Sequence, residues 1–410
     1  MSVQKLSQTQ SPPRLRDSVV IGETFHEGLK PVAYLHDSET GQFLRLGARE
    51  AALVALIDGR RTVDDLERLL VERHGFALKA AGWSRFLDGL RQQGVLTSSS
   101  SDEISATAAR VIAKRRQPKK SFLTCRFPMP RVAGLVPYCA RLTRWLWHPV
   151  MVILGSCLGL IVSGWTVWNS PRLIDEFRAG APFWATAPGV FLVTLAVMFL
   201  HELGHGVVCH RFGGKPREIG LLWRFPLVLP YCNIDDIMVQ RRGQRVMACY
   251  AGIYVNLLAM VPYWLLWRIA ETETWYGSVT SGLLLVGVPA ALSNLLPFLG
   301  LDGQWMLEHA IGIHGLGRSA FEIAKRLVTG RKEELAQVRR GVIVWSLTYG
   351  IFASGTLLVG TVLIVGIWWH TLDGLWGPVW ATGLLISEFL VLMLVWAALV
   401  AWRQFKSRRA

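Results

Sequence analysis

The sequence predicts an all-α polytopic membrane protein of about six transmembrane helices, with a small N-terminal α+β winged-helix-like cytoplasmic domain. Of the 410 residues, 51% are hydrophobic and 18 are Trp, which is unusual for a soluble protein. The apolar residues are also unevenly distributed. Residues 1–120 have the composition of a soluble domain, whereas long apolar runs follow Trp145.

The first hundred residues predict a disordered start and a compact domain. Residues 1–19 include Ser11-Pro12-Pro13 and are predicted to be disordered. The domain at 20–97 opens with a β-hairpin, because alternating residues from Val32 and the run at 42–46 flank a turn-rich segment. Three helices follow, at about 48–58, from Thr62 to Gly75 with Asp65 completing a weak capping box, and at about 77–93 before Gly94.

The charge of this domain separates two possible functions. Between Val20 and Ser100 there are ten Lys or Arg residues and eleven Asp or Glu residues, so the domain is nearly neutral. A DNA-binding domain requires a basic face, so we expect no nucleic-acid partner. Peptide binding at an exposed strand edge fits better, and a small scaffold without a ligand is the alternative.

Two stretches of the domain carry a resemblance. The segments LRLGAREAALVALIDGRRTVDDL and FLDGLRQQGVL, within residues 22–97, resemble the PqqD-type peptide-recognition domain, also called the RiPP recognition element. The resemblance implies that the strand after Pro31 and the third helix hold a leader-like peptide.

Residues 98–121 are predicted to be a basic linker before a membrane domain at 122–410. The linker ends in Lys114-Arg115-Arg116 and Lys119-Lys120. Beside a membrane segment, such a cluster indicates a cytoplasmic position and attraction to the anionic surface of a lipid bilayer.

Six apolar runs are long enough to cross a membrane, near residues 146–168, 184–206, 247–269, 279–300, 342–368 and 380–401. Arg and Lys concentrate at alternate ends of these runs, in 210–245, 302–340 and the C-terminal tail. The net charge of +15 is therefore a topology signal first. Both termini are predicted to be cytoplasmic, in a membrane that we expect to be a bacterial inner membrane.

The end of the second run contains His201-Glu202-Leu203-Gly204-His205. On a helix, the two histidines lie one turn apart and can bind one metal ion, while Glu202 projects from the adjoining face. This HExxH pattern is typical of a Zn²⁺ site in which the glutamate is the general base for water. The alternative is a helix end at the interface whose His and Glu side chains are solvated.

Zinc needs a third protein ligand, and Asp302 is the first candidate. By the predicted topology it emerges on the same side of the membrane as His205, and it would complete a His₂Asp site open to water. The alternative is that Asp302 caps the next helix while Gly303 makes the turn. Asp235 and Asp236 are weaker rivals on the same side.

Three motifs together resemble the site-2 protease family of intramembrane zinc metalloproteases. They are HELGH at His201, AGIYVN ending at Asn256, and N-x-x-P-x-x-x-L-D-G starting at Asn294. The resemblance covers about residues 120–345, although Ile253 stands where relatives often have Pro. It implies that His201, His205 and Asp302 bind zinc, that Glu202 is the catalytic base, and that Asn256 and Asn294 line the site. Helix–helix hydrogen bonding is the alternative for the asparagines.

The segment from Pro216 to Asp236 is too polar to cross a membrane and too apolar for an ordinary loop. We expect a hairpin or re-entrant segment that presents a strand edge to an unwound substrate, although Pro226 and Pro230 would interrupt such a strand.

Two functions remain open. The first is an intramembrane zinc metalloendopeptidase that hydrolyses a membrane-associated peptide or protein, in peptide maturation or export, after capture by the N-terminal domain. The second is a non-catalytic peptide-binding membrane subunit of an HlyD-type export system, docked on an adaptor or transporter. A transporter has little support, because no inverted repeat is visible.

Overall fold

The computed structural model describes residues 12–116, 124–224, 227–331 and 333–407. Helices predominate, and a small α/β region lies at the N-terminus. Five helices in the described part of the chain are long and apolar enough to cross a membrane. These findings confirm a largely helical protein with a small mixed N-terminal domain, and the apolar helices are consistent with a membrane fold.

The N-terminal domain combines four strands with four helices. These elements are β1 (Val19–Ile21), β2 (Phe25–Glu27), β3 (Lys30–Asp37), β4 (Phe43–Gly47), α1 (Ala48–Leu56), α2 (Val63–His74), α3 (Ala80–Gln92) and α4 (Ser101–Arg116). Leu35, Val54, Leu66 and Trp83 are fully buried in one cluster between sheet and helices. Burial of one such side chain stabilises the folded state by about 1.5–3 kcal/mol, so this cluster holds the domain together.

The predicted hairpin and three helices of this domain are confirmed. Strands β3 and β4 pair antiparallel. Helix α2 begins after Thr62, whose hydroxyl accepts a hydrogen bond from the Asp65 backbone N–H, while the Asp65 carboxylate accepts one from the Thr62 N–H. It ends at Gly75, which has φ +70°, a conformation that favours glycine.

Two boundaries of the domain differ from the prediction. Residues 12–19 are ordered, because Leu15 pairs with Leu96 and Arg16 forms an ion pair with buried Asp37; residues 1–11 lie outside the described residues. Much of the predicted linker is helix α4, which begins with a capping box between Ser100 and Glu103. The end of the predicted linker, 117–121, lies outside the described residues.

The strand after Pro31 does not offer a free edge, which corrects the predicted position of the peptide. That strand is β3, and it is central in its sheet. Strands β1 and β2 pair with successive halves of one edge, and β4 pairs with the other edge. Among the described strands, β4 pairs only with β3, so its outer edge is open.

The membrane unit contains the remaining elements. They are β5 (Thr124–Pro128), α5 (Pro130–Leu142), α6 (Pro149–Trp168), α7 (Ser170–Ala179), α8 (Phe183–Arg211), β6 (Glu218–Arg224), β7 (Leu227–Asn233), α9 (Arg242–Ile269), α10 (Trp275–Ser293), α11 (Asp302–Ile311), β8 (Ile313–His314), α12 (Leu316–Val328), α13 (Glu333–Ala336), α14 (Arg340–Trp376) and α15 (Pro378–Ser407).

Helices α6, α8, α9, α10 and α14 correspond to the first five predicted spans. The sixth prediction falls on α15, whose described apolar part, Pro378–Val391, is shorter than a span, so it stays a prediction. The predicted end of the fourth span, residue 300, is wrong. Helix α10 ends at Ser293, because the following segment contains Pro297 and turns through Leu299 and Gly300, both at positive φ.

Helix α9 is central in the membrane unit and packs against α6, α8, α10 and α11. Small residues permit its close approach. A Cβ on Gly159 of α6 would lie 2.3 Å from the Leu257 carbonyl oxygen, and one on Gly204 of α8 would lie 2.9 Å from Val255. Gly204 therefore allows close packing of α8 against α9.

The predicted hairpin after α8 is also confirmed. Strands β6 and β7 pair antiparallel, and β5 adds a third strand on the other side of β6. Pro226 lies outside the described residues. Pro230 lies within β7 opposite Leu221 and does not end the strand. Because β7 is at the edge of this sheet, a residue without an N–H is tolerated there.

Candidate metal centre

Helix α8 carries both histidines of the HExxH motif. His201 and His205 are buried on the face of α8 that packs against α9, and their Nε2 atoms are 3.2 Å apart. Their rings are edge-to-face, with centroids 4.8 Å apart. Because i and i+4 residues lie above one another on a helix, one turn of α8 is sufficient to bring the two nitrogen atoms together.

Asp302 joins them from α11. Its Oδ2 atom lies 3.0 Å from His201 Nε2 and 3.2 Å from His205 Nε2. Asp302 is the first residue of α11, and Leu301 occupies the N-cap position. The alternative, that Asp302 caps this helix, is therefore wrong. In the described part of the chain, these three side chains are the group of His, Cys, Asp or Glu residues whose ligand atoms lie close enough together to hold one metal ion.

The loop before Asp302 is fixed by its backbone. The Gly303 N–H donates to the Asn294 carbonyl oxygen at 2.7 Å. A Cβ on Gly303 would lie 2.5 Å from the Leu295 carbonyl oxygen, so only glycine fits there. Leu299 has φ +62°, a strained conformation for a residue with a branched side chain. The turn therefore holds Asp302 toward α8.

The donor atoms fit a zinc ion. Tetrahedral zinc with bonds of about 2.0–2.2 Å to nitrogen and oxygen has neighbouring ligand atoms about 3.3 Å apart. The three separations here are 3.0, 3.2 and 3.2 Å. Asp302 Oδ2 is buried without a hydrogen-bond partner among the described residues. Two neutral imidazoles and a carboxylate are a donor set that zinc prefers, so the residues fit this metal.

The electrostatics keep the carboxyl group of Asp302 ionised. Burial alone would raise the pKa of Asp302, but the two histidines that face its carboxylate hold this pKa well below its usual range. A carboxylate that stays deprotonated at neutral pH is ready to bind a cation.

Helix α9 orients the histidines. His205 Nδ1 lies 2.7 Å from the Ala248 carbonyl oxygen, to which it donates, so Nε2 is left with its lone pair facing His201 and Asp302. The backbone of Gly252 passes directly against the rings. A Cβ on Gly252 would lie 2.5 Å from Nε2 of both histidines.

Glu202 lies on the adjoining face of α8, as predicted, and lines a cavity beside the metal ligands. Its carboxylate lies beside the backbone N–H of Cys232 on β7. The hairpin therefore contacts the residue that the motif assigns as general base.

The cavity has a volume of about 420 Å³ and lies between α8, α9, α10 and β7. Asn256 and Asn294 both line it. The Asn256 amide also donates to the Ala290 carbonyl oxygen at 2.9 Å, and the Asn294 amide donates to the same oxygen at 3.4 Å. Both asparagines therefore line the site and also form helix–helix or intrahelical hydrogen bonds. The two interpretations are compatible, because each amide nitrogen donates to a helix carbonyl group while the residue borders the cavity.

The rival acids lie elsewhere. Asp236 is buried in an ion pair with Arg217, at 2.9 Å, and Asp235 is exposed. All six cysteines are free. Neither aspartate belongs to the group at His201 and His205.

Sequence reasoning missed three contacts at this site: the Ala248 carbonyl, the Gly252 backbone and the Cys232 N–H. Gly252 lies in the AGIYVN motif, so the sequence did indicate that this position belongs to the site. The other two act through backbone atoms, which no side-chain pattern reveals.

Comparison of the chain with models of protein families, with curated proteins and with solved structures finds no match. The functional assignment therefore rests on the motifs and on the geometry described above.

Proposed function

We propose that this protein is an intramembrane zinc metalloendopeptidase that hydrolyses a membrane-associated peptide or protein. The observation that carries the proposal is the convergence of His201, His205 and Asp302 from two helices, with Glu202 beside them on the same cavity. This combination of three ligands, a base and a neighbouring space is typical of catalytic zinc sites.

A bound zinc ion would lower the pKa of water and polarise the peptide carbonyl group. Glu202 takes the proton of the attacking water and then delivers it to the leaving amine. The Cys232 N–H faces the Glu202 carboxylate from β7, so the hairpin can help to orient the base. Asn256 and Asn294 border the same cavity, and an amide oxygen in such a position can accept a hydrogen bond from the substrate backbone.

The lining of the cavity supports a substrate with apolar side chains near the cleaved bond. Val197 and Met198 of α8, Ala259 of α9 and Ala290 of α10 form its walls. Leu229 and Pro230 place the edge strand β7 at the same cavity. An unwound segment can add to such an edge as a further strand, which exposes its carbonyl groups to attack. A helical substrate hides these groups.

The biological setting belongs to the proposal as well. By the positive-inside rule, both termini and the metal centre face the cytoplasm of a bacterial inner membrane. In this proposal, the PqqD-like domain captures a leader-like peptide at the open edge of β4 and not at β3. Peptide maturation coupled to export would follow, with an HlyD-type adaptor or transporter as a partner.

The decisive experiment compares wild type with Glu202→Gln. Both proteins are reconstituted in vesicles with a library of apolar segments of about 20 residues, and products are read by mass spectrometry. We expect both to bind one zinc ion per chain. Loss of the base should slow hydrolysis by about 10²–10⁴-fold.

A non-catalytic role predicts a different outcome. In a peptide-binding subunit of an HlyD-type export system, the two proteins would bind the library equally and leave it uncleaved. The intact Glu202 beside the converging ligands favours the enzyme, because a structural zinc site does not need a base at that position.

A further inference from the structure

Among the described residues, contacts of the N-terminal domain with the membrane unit include β8, the start of α9 and Arg217 before β6, and each of these lies on or beside an element that holds part of the metal centre. Neither the motifs nor the proposed chemistry requires this arrangement.

The first contact reaches α11. Strand β8 pairs in parallel with β2, where the His26 N–H donates to the Gly312 carbonyl oxygen at 2.9 Å and the Gly28 N–H donates to that of His314 at 3.0 Å. Gly312 directly follows α11, whose first residue is the metal ligand Asp302. A helix of this length is about 15 Å long and rigid, so a shift of β8 displaces Asp302.

The second contact reaches α9. The Glu23 carboxylate accepts hydrogen bonds from the Arg242 backbone N–H at 3.1 Å and from the buried Arg245 guanidinium at 3.3 Å. Arg245 also packs over the ring of Phe25 in β2. Ala248 is three residues further along α9, less than one turn, and its carbonyl oxygen orients His205.

The third contact reaches the β6–β7 hairpin. Arg217 precedes β6 and donates to the Gly41 carbonyl oxygen at 2.7 Å, and its guanidinium also bonds His36. The same side chain forms the ion pair with Asp236. This anchor fixes one end of the hairpin, and Cys232 on β7 lies beside Glu202.

We infer that the docked N-terminal domain is a positioning element of the metal centre, acting through Glu23 on α9, through β2 on α11 and through Arg217 on the hairpin. Docking sets the separation between Asp302 and the two histidines, and therefore the affinity for zinc. This inference rests on the function proposed above, because it assigns the same three residues to the metal.

The test uses the full chain in detergent and measures zinc affinity by competition with a chromophoric chelator, without any peptide. Glu23→Lys places a cation against Arg242 and Arg245, and His26→Pro removes the donor to Gly312. The control is Glu72→Lys, an identical charge change on an exposed part of the same domain. Undocking is verified by faster hydrogen exchange at the amide of Gly28, while slow exchange in α2 shows that the domain remains folded.

We expect Glu23→Lys and the double variant with His26→Pro to bind zinc about 10- to 100-fold more weakly, as loss of outer partners of a metal site does, and Glu72→Lys to bind it like wild type. Undocked variants with wild-type zinc affinity would overturn the inference alone. A wild-type protein that binds zinc but cleaves no better than Glu202→Gln would overturn the peptidase and leave the positioning role intact. A wild type that binds no zinc would overturn both.

Discussion

Two clusters in this protein each combine two histidines with one acid and differ in what they can do. The first is His201, His205 and Asp302. The second, at the C-terminal end of α11 and in β8, is His309, His314 and Glu308. Both histidine pairs are edge-to-face, with ring centroids 4.8 Å apart in the first and 4.6 Å apart in the second.

The carboxylates distinguish the clusters. The Glu308 carboxylate accepts hydrogen bonds from the Gly315 and Leu316 N–H groups and from the Gln304 amide, and it lies 3.7 Å from His314 Nδ1. Backbone donors therefore occupy it, and Glu308 joins α11 to the start of α12. The Asp302 oxygen nearest the histidines has no hydrogen-bond partner among the described residues. A metal site thus requires an acid that no other group has already bound.

The largest contrast is expected in metal content. His205→Ala removes one of three ligands, so zinc binding should weaken by more than the roughly 10- to 100-fold that loss of an outer partner costs. His309→Ala removes a buried imidazole whose Nδ1 has no partner among the described residues, and one zinc ion per chain should remain. Elemental analysis of both purified variants checks this. Equal metal loss in the two proteins would contradict the assignment of the clusters.

A smaller effect is expected where α9 meets the first cluster. In Gly252→Ala the new methyl group would lie 2.5 Å from the metal-facing nitrogen atoms of both histidines. Overpacking of this kind costs about 1–3 kcal/mol, and about 1.4 kcal/mol corresponds to a tenfold change in affinity, so zinc should bind about 5- to 150-fold more weakly.

The matched control is Gly243→Ala on the same helix, because a Cβ on Gly243 has nothing within 4 Å. Chelator competition should give wild-type zinc affinity for this variant. An unchanged zinc affinity of Gly252→Ala would contradict this prediction. It would mean that α9 can move away from the two imidazole rings without disturbing the metal site.

The smallest effect concerns the pH dependence of stability at the second cluster. Burial, followed by the charges of His314 and Arg245, lowers the pKa of His309 from 6.5 to about 2. The unfolded chain binds a proton at His309 below pH 6.5 and the folded chain does not. The contribution of this residue is therefore fully present above pH 6.5 and is lost as the pH falls below that value, by at most about 1.4 kcal/mol per pH unit.

Thermal unfolding of the metal-free protein between pH 7.5 and 5.0 measures this term. The Tm of wild type should decline more steeply with falling pH than that of His309→Gln, which lacks the group. Parallel curves for the two proteins would mean that His309 is protonated inside the folded domain.

Much of the site was accessible to sequence reasoning because the information is local. The i and i+4 spacing of His201 and His205 defines one helix face, and the topology of the spans placed Asp302 on the same side as His205. The capping boxes at Thr62 and Ser100 are equally local. The capping box of Ser100 and Glu103 marks the start of α4, a helix within the predicted linker. The sequence therefore contains a local signal for this helix.

The edge strand of the N-terminal sheet was not predictable in the same way. The pattern identified β3 and β4 as strands, but whether an edge is free depends on β1 and β2, which contribute three residues each. Strands this short have almost no periodicity to detect, and their pairing is a long-range property.

The sequence by itself determined the long apolar helices, the HExxH helix and the acid that faces it, because each depends on composition or on spacing along the chain. Tertiary structure alone decided which backbone groups hold these side chains. Ala248, Gly252 and Cys232 act through atoms common to every residue, so their roles arise from proximity and leave no trace in the pattern of side chains. The contacts of Glu23 and Arg217 join residues about 180 to 220 positions apart, and only packing brings them together.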